Sequence, residues 1–281
     1  MYPVSVTVVV PAMNEAENLP HVLPRIPEWV DEVVLVDGNS TDNTVEVARR
    51  LWPGIRVVQQ MGKGKGAALR TGFAAASGEI IVMLDADGST DPGEIPAFVE
   101  ALLSGADFVK GSRFCNGGGT SDMPLYRKAG NASFVLMVRM LFGGRYTDLC
   151  YGYSAFWVDV LPLLSLDCDG FEVETMMNVR ALKAGLVVAE VPSFESERIH
   201  GSSNLKTIPD GWRVLKTIFS ERLSPTTPAV ARKVAYALAR RARTTVVWPV
   251  ALATSRMNEL ASFGDATLEP VGIRRHPVVA E

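Results

Sequence analysis

Apolar residues in the first half of the chain fall into short, nearly unbroken runs, separated by longer stretches in which they recur every three to four positions. The runs at 4–10, 32–37, 55–60, 79–85 and 106–111 are rich in Val and Ile and read as strands. Between them, 16–26, 42–52, 64–76 and 92–104 carry the helical period. This alternation predicts an α/β fold: a mostly parallel sheet, helices on both faces and right-handed crossovers. After 112 the rhythm loosens into a Gly-rich loop, "CNGGGTSD", a helix at 127–142, a short strand near 154–158, a helix near 171–184 and a strand at 186–191. This half is expected to add antiparallel edge strands. No internal repeat is present.

The strand at 79–85 has the composition of one buried on both faces, yet it runs directly into Asp85 and Asp87. With 14 Asp in 281 residues, one Asp-x-Asp is expected by chance, and Asp167 and Asp169 in "SLDCDGF" form a second. Context separates the two. The first pair ends a parallel strand, where such sheets bind ligands, whereas "LPLLSL" before the second has no clear strand signature. Two other strands end similarly, "VVVPAMNE" in Asn14 and Glu15 and "VVLVDGNSTDNT" in Asp37 and Asn39. Each alone could be a turn or cap, as Thr41-Asp42 and Asp91-Pro92-Gly93-Glu94 are read here. Three at one rim of the sheet are better explained by a single crevice, and paired carboxylates there suit a hard cation.

Opposite charge comes from "QQMGKGKGAALRTGF", in which Gly62, Gly64 and Gly66 alternate with Lys63 and Lys65 before a helix containing Arg70. Such a helix start can receive a phosphate. The stretch also matches a degenerate dinucleotide fingerprint, but it follows the third strand rather than the first. A nicotinamide-dependent oxidoreductase therefore ranks below phosphate or sugar transfer.

Composition narrows the class. A chain of 281 residues with 47% hydrophobic and 21% charged residues is long enough for one large α/β domain or for one domain plus an appendage. Cys115, Cys150 and Cys168 are odd in number and lack metal-ligand spacing, which predicts a reducing, cytoplasmic setting. The N-terminus reads as a first strand rather than a leader, and no apolar run is long enough to span a bilayer. Residues 1–223 hold 20 basic and 27 acidic side chains, an excess that argues against nucleic acid; 224–281 hold 8 basic and 4 acidic. "LSPTTP" at 223–228 marks the boundary between a domain, 1–223, and a basic, partly helical tail, 224–281. The tail's basic amphipathic stretch at 229–246 reads as a peripheral contact with a membrane's inner face, as a solvated face, or as a contact with the acidic body.

Taken in order, Pro11-x-x-Asn14-Glu15, "VVLVDGNSTDNT", "GKGAALRTGF", "DADG", "GSRF", "YGYSAF", "GFEVE" and "ERIHGSS" resemble the inverting glycosyltransferases of family 2, most closely the dolichyl- or polyprenyl-phosphate sugar synthases. The resemblance covers residues 4–222. It implies a GT-A (Rossmann-like) fold, a UDP- or GDP-sugar donor, Mg²⁺ or Mn²⁺, and a lipid-phosphate acceptor. On this resemblance Pro11, Asn14, Glu15 and Asp37 contact the nucleoside, and Lys65 and Arg70 lie near the diphosphate. Asp85, Ala86 and Asp87 form the donor and metal motif, with Asp85 and Asp87 as its carboxylates. Arg113, Arg127 and Arg198 match positions that hold the acceptor phosphate. Ser89 stands where the synthases have Gln, Gly38 where Asp is commoner, and Asn204 where Lys is found.

A phosphate acceptor is an anion that needs orienting but no base. A hydroxyl acceptor needs a base, and Glu172 or Glu174 in "DGFEVE" is the candidate, unless both merely face a helix start. The rival readings are the same chemistry on a small soluble acceptor, and a nucleotide-sugar binding module without catalysis.

Overall fold

The computed structural model describes residues 2–121, 123–203, 205–224 and 233–241. Four strands, β1 (Val6–Ala12), β2 (Glu32–Asp37), β3 (Arg56–Gln59) and β4 (Ile80–Met83), run parallel in the order β3-β2-β1-β4. Their Val and Ile side chains are buried on both faces in the centre of the sheet, which explains why these runs lack alternation. Beyond β4 lie three more strands, β5 (Phe108–Ser112), β7 (Ser154–Trp157) and β8 (Val188–Pro192), in the order β7-β5-β8. The chain order turns at β1, whose neighbours are β2 and β4, so the loops leaving β1, β2 and β4 meet over one crevice. A separate two-stranded ladder joins β6 (Gly119–Thr120) to β9 (Phe194–Glu195).

The antiparallel strand expected at an edge lies inside the sheet. β7 pairs antiparallel with both β4 and β5, and β8 is the edge, parallel to β5. All four β7 residues are buried, so the position is set by packing on both faces.

The predicted helices appear as α2 (Thr44–Leu51), α3 (Lys65–Ala75), α4 (Ile95–Leu103), α5 (Leu125–Phe142) and α7 (Val173–Ala184). The helix expected at 16–26 is reduced to α1 (Leu19–Val22) and a 3-10 turn, Leu23–Arg25. Pro24 has no N–H to continue the ladder. A single turn, α6 (Leu161–Leu164), follows β7.

The longest element missing from the pattern is α8 (Thr207–Leu223). Its amphipathicity is inverted. Asp210, Val214, Thr217, Ile218 and Glu221 face inward, while Ile208, Trp212, Phe219 and Leu223 are exposed. Glu221 is buried because Arg180 Nε and Lys183 Nζ of α7 bond to it at 2.8 Å each. A small second core, including Val135, Val138, Val179, Val214 and Ile218, binds α5, α7 and α8 together.

The described piece of the tail, 233–241, is helical and lies on its own domain. Tyr236 packs on the main core and Arg240 Nε meets Asp107 Oδ1 at 2.8 Å. Among the described residues no helix is long and apolar enough to cross a membrane.

Candidate active site

The loops after β1 and β2 are tied together. Asn14, in the left-handed region at φ 58°, accepts Thr41 N at 2.7 Å through Oδ1, and Glu15 N donates to Thr44 Oγ1 at 2.8 Å. Asp37 is buried at the end of β2 and accepts Ser40 N at 3.2 Å; Pro11 pairs in register with Val36, and Ala86 is buried after β4. These residues therefore lie at the ends of neighbouring strands β1, β2 and β4, and none of them is in the lining of the cavity.

At the centre, Lys65 Nζ lies between two carboxylates, 2.7 Å from Asp85 Oδ1 and 2.9 Å from Glu174 Oε1. Burial works against its charge, but the two carboxylates outweigh burial and hold its pKa above the ordinary lysine value. Asp87 accepts Ser89 Oγ at 2.7 Å and Ser89 N at 3.0 Å on Oδ1, leaving Oδ2 to Arg198 Nη1 at 3.2 Å. The same guanidinium pairs with Glu15. Burial raises the Glu15 pKa above the usual carboxylate range, against the opposing pull of Arg198 and Asn18.

Of the three arginines matched to an acceptor phosphate, Arg113 is buried, held by Asp148 through Nε (2.6 Å) and Nη2 (2.9 Å) and by Glu195 through Nη1 (2.9 Å). Arg127 lines the cavity and, among the described residues, its guanidinium has no hydrogen-bond or ion-pair partner. Arg198 lines it too, committed to Glu15 and Asp87.

Three expectations need correction. The start of α3 is not open to a phosphate, because Gly66 N and Ala67 N donate to Asp169 O at 2.8 and 3.4 Å. Arg70 turns to Asp169 (2.6 Å) and to the carbonyl of Cys168, away from the cavity lining. Glu172 also lies off that lining and accepts Gly170 N at 3.2 Å, so Glu174 is the carboxylate of "GFEVE" that reaches the cavity. The second Asp-x-Asp is structural, with Asp167 on Arg180 and Asp169 on Arg70.

Sequence reasoning passed over Asp148 and Glu195, which hold Arg113, and Gly152, where a side chain would collide with Asp85 and Lys65. Their partners are 35, 82 and 67 positions away, and no local pattern links them; the one signal was "YGYSAF", which contains Gly152.

The cavity holds about 270 Å³ and has two chemistries. Lys65, Asp85, Asp87, Arg113, Arg127 and Arg198 supply charge, while Met123, Tyr126, Phe134, Leu205 and Val214, from α5, α8 and the segments leading into them, supply an apolar wall. The oxygen-only donor set suits a hard cation. Mg²⁺ is commonly held by one or two carboxylates with substrate phosphates completing the shell. Asp87 Oδ2 could serve once Arg198 yields, whereas both Asp85 oxygens are bound by Lys65, at 2.7 and 3.0 Å. Among the described residues no third carboxylate, His or Cys joins them.

With this geometry in hand, the profile described as glycosyl transferase family 2 matches residues 7–161, more than half of the chain. The chain belongs to this family. A dolichol-phosphate mannosyltransferase of Pyrococcus furiosus is 32% identical over 211 residues, covering 72% of this chain and 59% of that protein. An undecaprenyl-phosphate mannosyltransferase of Micrococcus luteus is 33% identical over 212 residues, covering 71% and 87% respectively. Among solved structures, glucosyl-3-phosphoglycerate synthase from Mycobacterium tuberculosis, with Mn²⁺, uridine diphosphate and glucosyl-3-phosphoglycerate, superposes with a TM-score of 0.61 at 26% identity, covering 79% of this chain and 81% of that one. The GT-A expectation is thereby met by a mixed, mostly parallel seven-stranded sheet.

Proposed function

We propose that this protein is an inverting glycosyltransferase that moves a sugar from a UDP- or GDP-sugar to a polyprenyl-type lipid phosphate, with Mg²⁺ or Mn²⁺ on Asp87. The observation that carries this reading is the mixed lining of one cavity: Lys65, Arg113, Arg127 and Arg198 beside carboxylates, together with the apolar Met123, Tyr126, Phe134, Leu205 and Val214. An amphiphile with a phosphate head matches both. The names of the Pyrococcus and Micrococcus relatives are consistent with it.

Asp87 supplies the metal's carboxylate, and a bound divalent cation would neutralise charge growing on the leaving diphosphate. Pro11, Asn14, Glu15 and Asp37 hold the nucleoside, while Lys65 sets Asp85 and adds positive charge beneath the diphosphate. Arg127, the cavity cation without a partner among the described residues, binds the acceptor phosphate, since a guanidinium fork fits a phosphate. Arg198 joins it on leaving Asp87, and Arg113, held by Asp148 and Glu195, stays as a fixed part of the cavity wall. The phosphate oxygen attacks the anomeric carbon with no proton to remove, so Glu174 can stay paired with Lys65.

A second reading keeps the chemistry with a small soluble hydroxyl acceptor, favoured by Glu174 at the cavity and by the phosphoglycerate neighbour. On either reading residues 1–223 form the catalytic unit. The lipid reading also adds a membrane contact on the outer faces of α5 and α8, at a cytoplasmic membrane face.

Labelled UDP- and GDP-sugars offered with Mn²⁺ to undecaprenyl phosphate or to 3-phosphoglycerate decide between them. Organic-phase label, lost with EDTA and restored by Mn²⁺, is expected. Label only in the soluble product, with Glu174→Gln about a hundredfold slower, would replace the lipid reading. Turnover undiminished by chelator would remove the metal from Asp87.

A further inference from the structure

Asn18 is 2% exposed and does not line the cavity. It stands at the N-cap of α1, a position where an Asn side chain ordinarily accepts a helix N–H, yet it makes no cap bond. Its carboxamide is spent on a loop 182 residues away. Nδ2 donates to the His200 carbonyl at 3.1 Å, and Oδ1 accepts His200 N at 2.9 Å, so one amide grips one residue's backbone from both sides. The other Nδ2 hydrogen goes to Glu15 Oε2 at 2.6 Å.

Arg198 completes the ring. Its Nε donates to the same His200 carbonyl at 2.7 Å, and its two terminal nitrogens reach Glu15 and Asp87. The loop is seated on its other side by Ile199 N on Asp87 O (3.3 Å) and Ser196 N on Ser89 O (2.9 Å). Gly88 makes this seat feasible: it has φ 79°, and a Cβ there would stand 2.5 Å from Ile199 Cδ1. Thus Glu15, Asn18, His200 and Arg198 form one closed hydrogen-bonded circuit beside Asp87.

We propose that Asn18 is a positioning residue, which fixes through the His200 backbone where Arg198 stands between the donor-side carboxylates and the acceptor cavity. The inference rests on the reading that Arg198 serves the acceptor phosphate. Only a primary amide of this length fits the place. It must donate twice and accept once within a buried contact. Asp would keep the bond from His200 N but leave the carbonyl without this donor and set a second carboxylate against Glu15. Leu would keep the volume and lose every bond.

The test is a double-mutant cycle in acceptor kinetics, with undecaprenyl phosphate as the probe and nucleotide binding followed separately by thermal shift with UDP and GDP plus Mn²⁺. Arg198→Ala tests the underlying reading by itself: it should lower kcat/KM for the acceptor, and unchanged acceptor kinetics would overturn that reading together with this inference. Asn18→Leu and Asn18→Asp should each lower kcat/KM for the acceptor roughly tenfold, the scale of a charge-assisted hydrogen bond, more than they alter nucleotide binding. In the Arg198→Ala background the same substitutions should cost nothing further. Losses that simply multiply, or Asn18 variants with wild-type acceptor kinetics beside an impaired Arg198→Ala, would overturn the role of Asn18 and leave Arg198's intact. Should Asn18→Leu fail to fold, Asn18→Asp, which keeps the shape and one bond, carries the cycle alone.

Discussion

Asp148 shows how a single buried carboxylate governs both geometry and stability. Two of its bonds, at 2.6 and 2.9 Å, go to the Arg113 guanidinium, and its side chain is fully enclosed. Burial pushes its pKa up, but the Arg113 hydrogen bonds and charge outweigh burial and hold it below the usual carboxylate value. A depressed acid stabilises the fold at pH above its unfolded pKa, near 4, and that stabilisation is lost as pH falls further toward the folded value. Urea midpoints of the wild type should therefore drop steeply below about pH 4. Asp148→Asn should flatten that limb and, by removing the carboxylate that holds two of the Arg113 nitrogens, cost about 3 kcal/mol at pH 7. Equal slopes for the two proteins would show that the pair contributes nothing to acid stability.

At the scale of elements, α5 and α8 explain why the apolar wall of the cavity has an apolar exterior. Leu125, Leu136 and Met140 of α5 and Ile208, Trp212, Phe219 and Leu223 of α8 are exposed, with Ile208 at 84% and Trp212 at 66%. The α8 residues recur at intervals of four, seven and four, which places them on one stripe, and Lys216 and Arg222 flank it. Such a stripe with basic edges matches a lipid interface. Ile208→Glu with Trp212→Glu should weaken co-sedimentation with vesicles about tenfold or more, from about 1.5–3 kcal/mol per large apolar side chain fully withdrawn from water. Nucleotide binding should be untouched. Vesicle binding equal to wild type would move the contact elsewhere.

For the whole molecule the question is charge. Residues 1–223 hold 20 basic and 27 acidic groups, so the body by itself is repelled by an anionic surface, and the tail's 8 basic and 4 acidic groups oppose that repulsion. Arg240 is already tied to Asp107, which reduces what the stretch at 229–246 can offer; residues 229–232 and 242–246 of that stretch lie outside the described residues. Ending the chain after Ser224 should leave nucleotide binding and affinity for zwitterionic vesicles intact. The full-length protein should gain on anionic vesicles by about 1 kcal/mol per unpaired basic side chain near the surface, and the gain should fade as salt shortens the Debye length. No difference between the two forms on anionic vesicles at low salt would confine the tail to its own domain.

Periodicity alone determined the sheet's parallel half, because strands buried on both faces leave continuous Val and Ile runs, and it placed Asn14, Glu15, Asp37, Asp85 and Asp87 at one rim. The "DADG" pair could be told from "SLDCDGF" by the strand before it. What sequence could not decide were the partners of each charge. The α3 glycines and lysines resemble an anion site until Asp169 closes the helix start, and Arg70 and Arg113 look equally free until Asp169 and Asp148 occupy them. The inward face of α8 can hold Glu221 because Arg180 and Lys183 receive it there, and Asp210 because Lys206 N and Arg213 bond to it. Hydrophobic burial writes itself into local order, since each strand or helix must present its own apolar face. Charge pairing joins side chains up to 183 positions apart, as Glu15 and Arg198 are here, and only the folded chain brings such pairs within hydrogen-bond range.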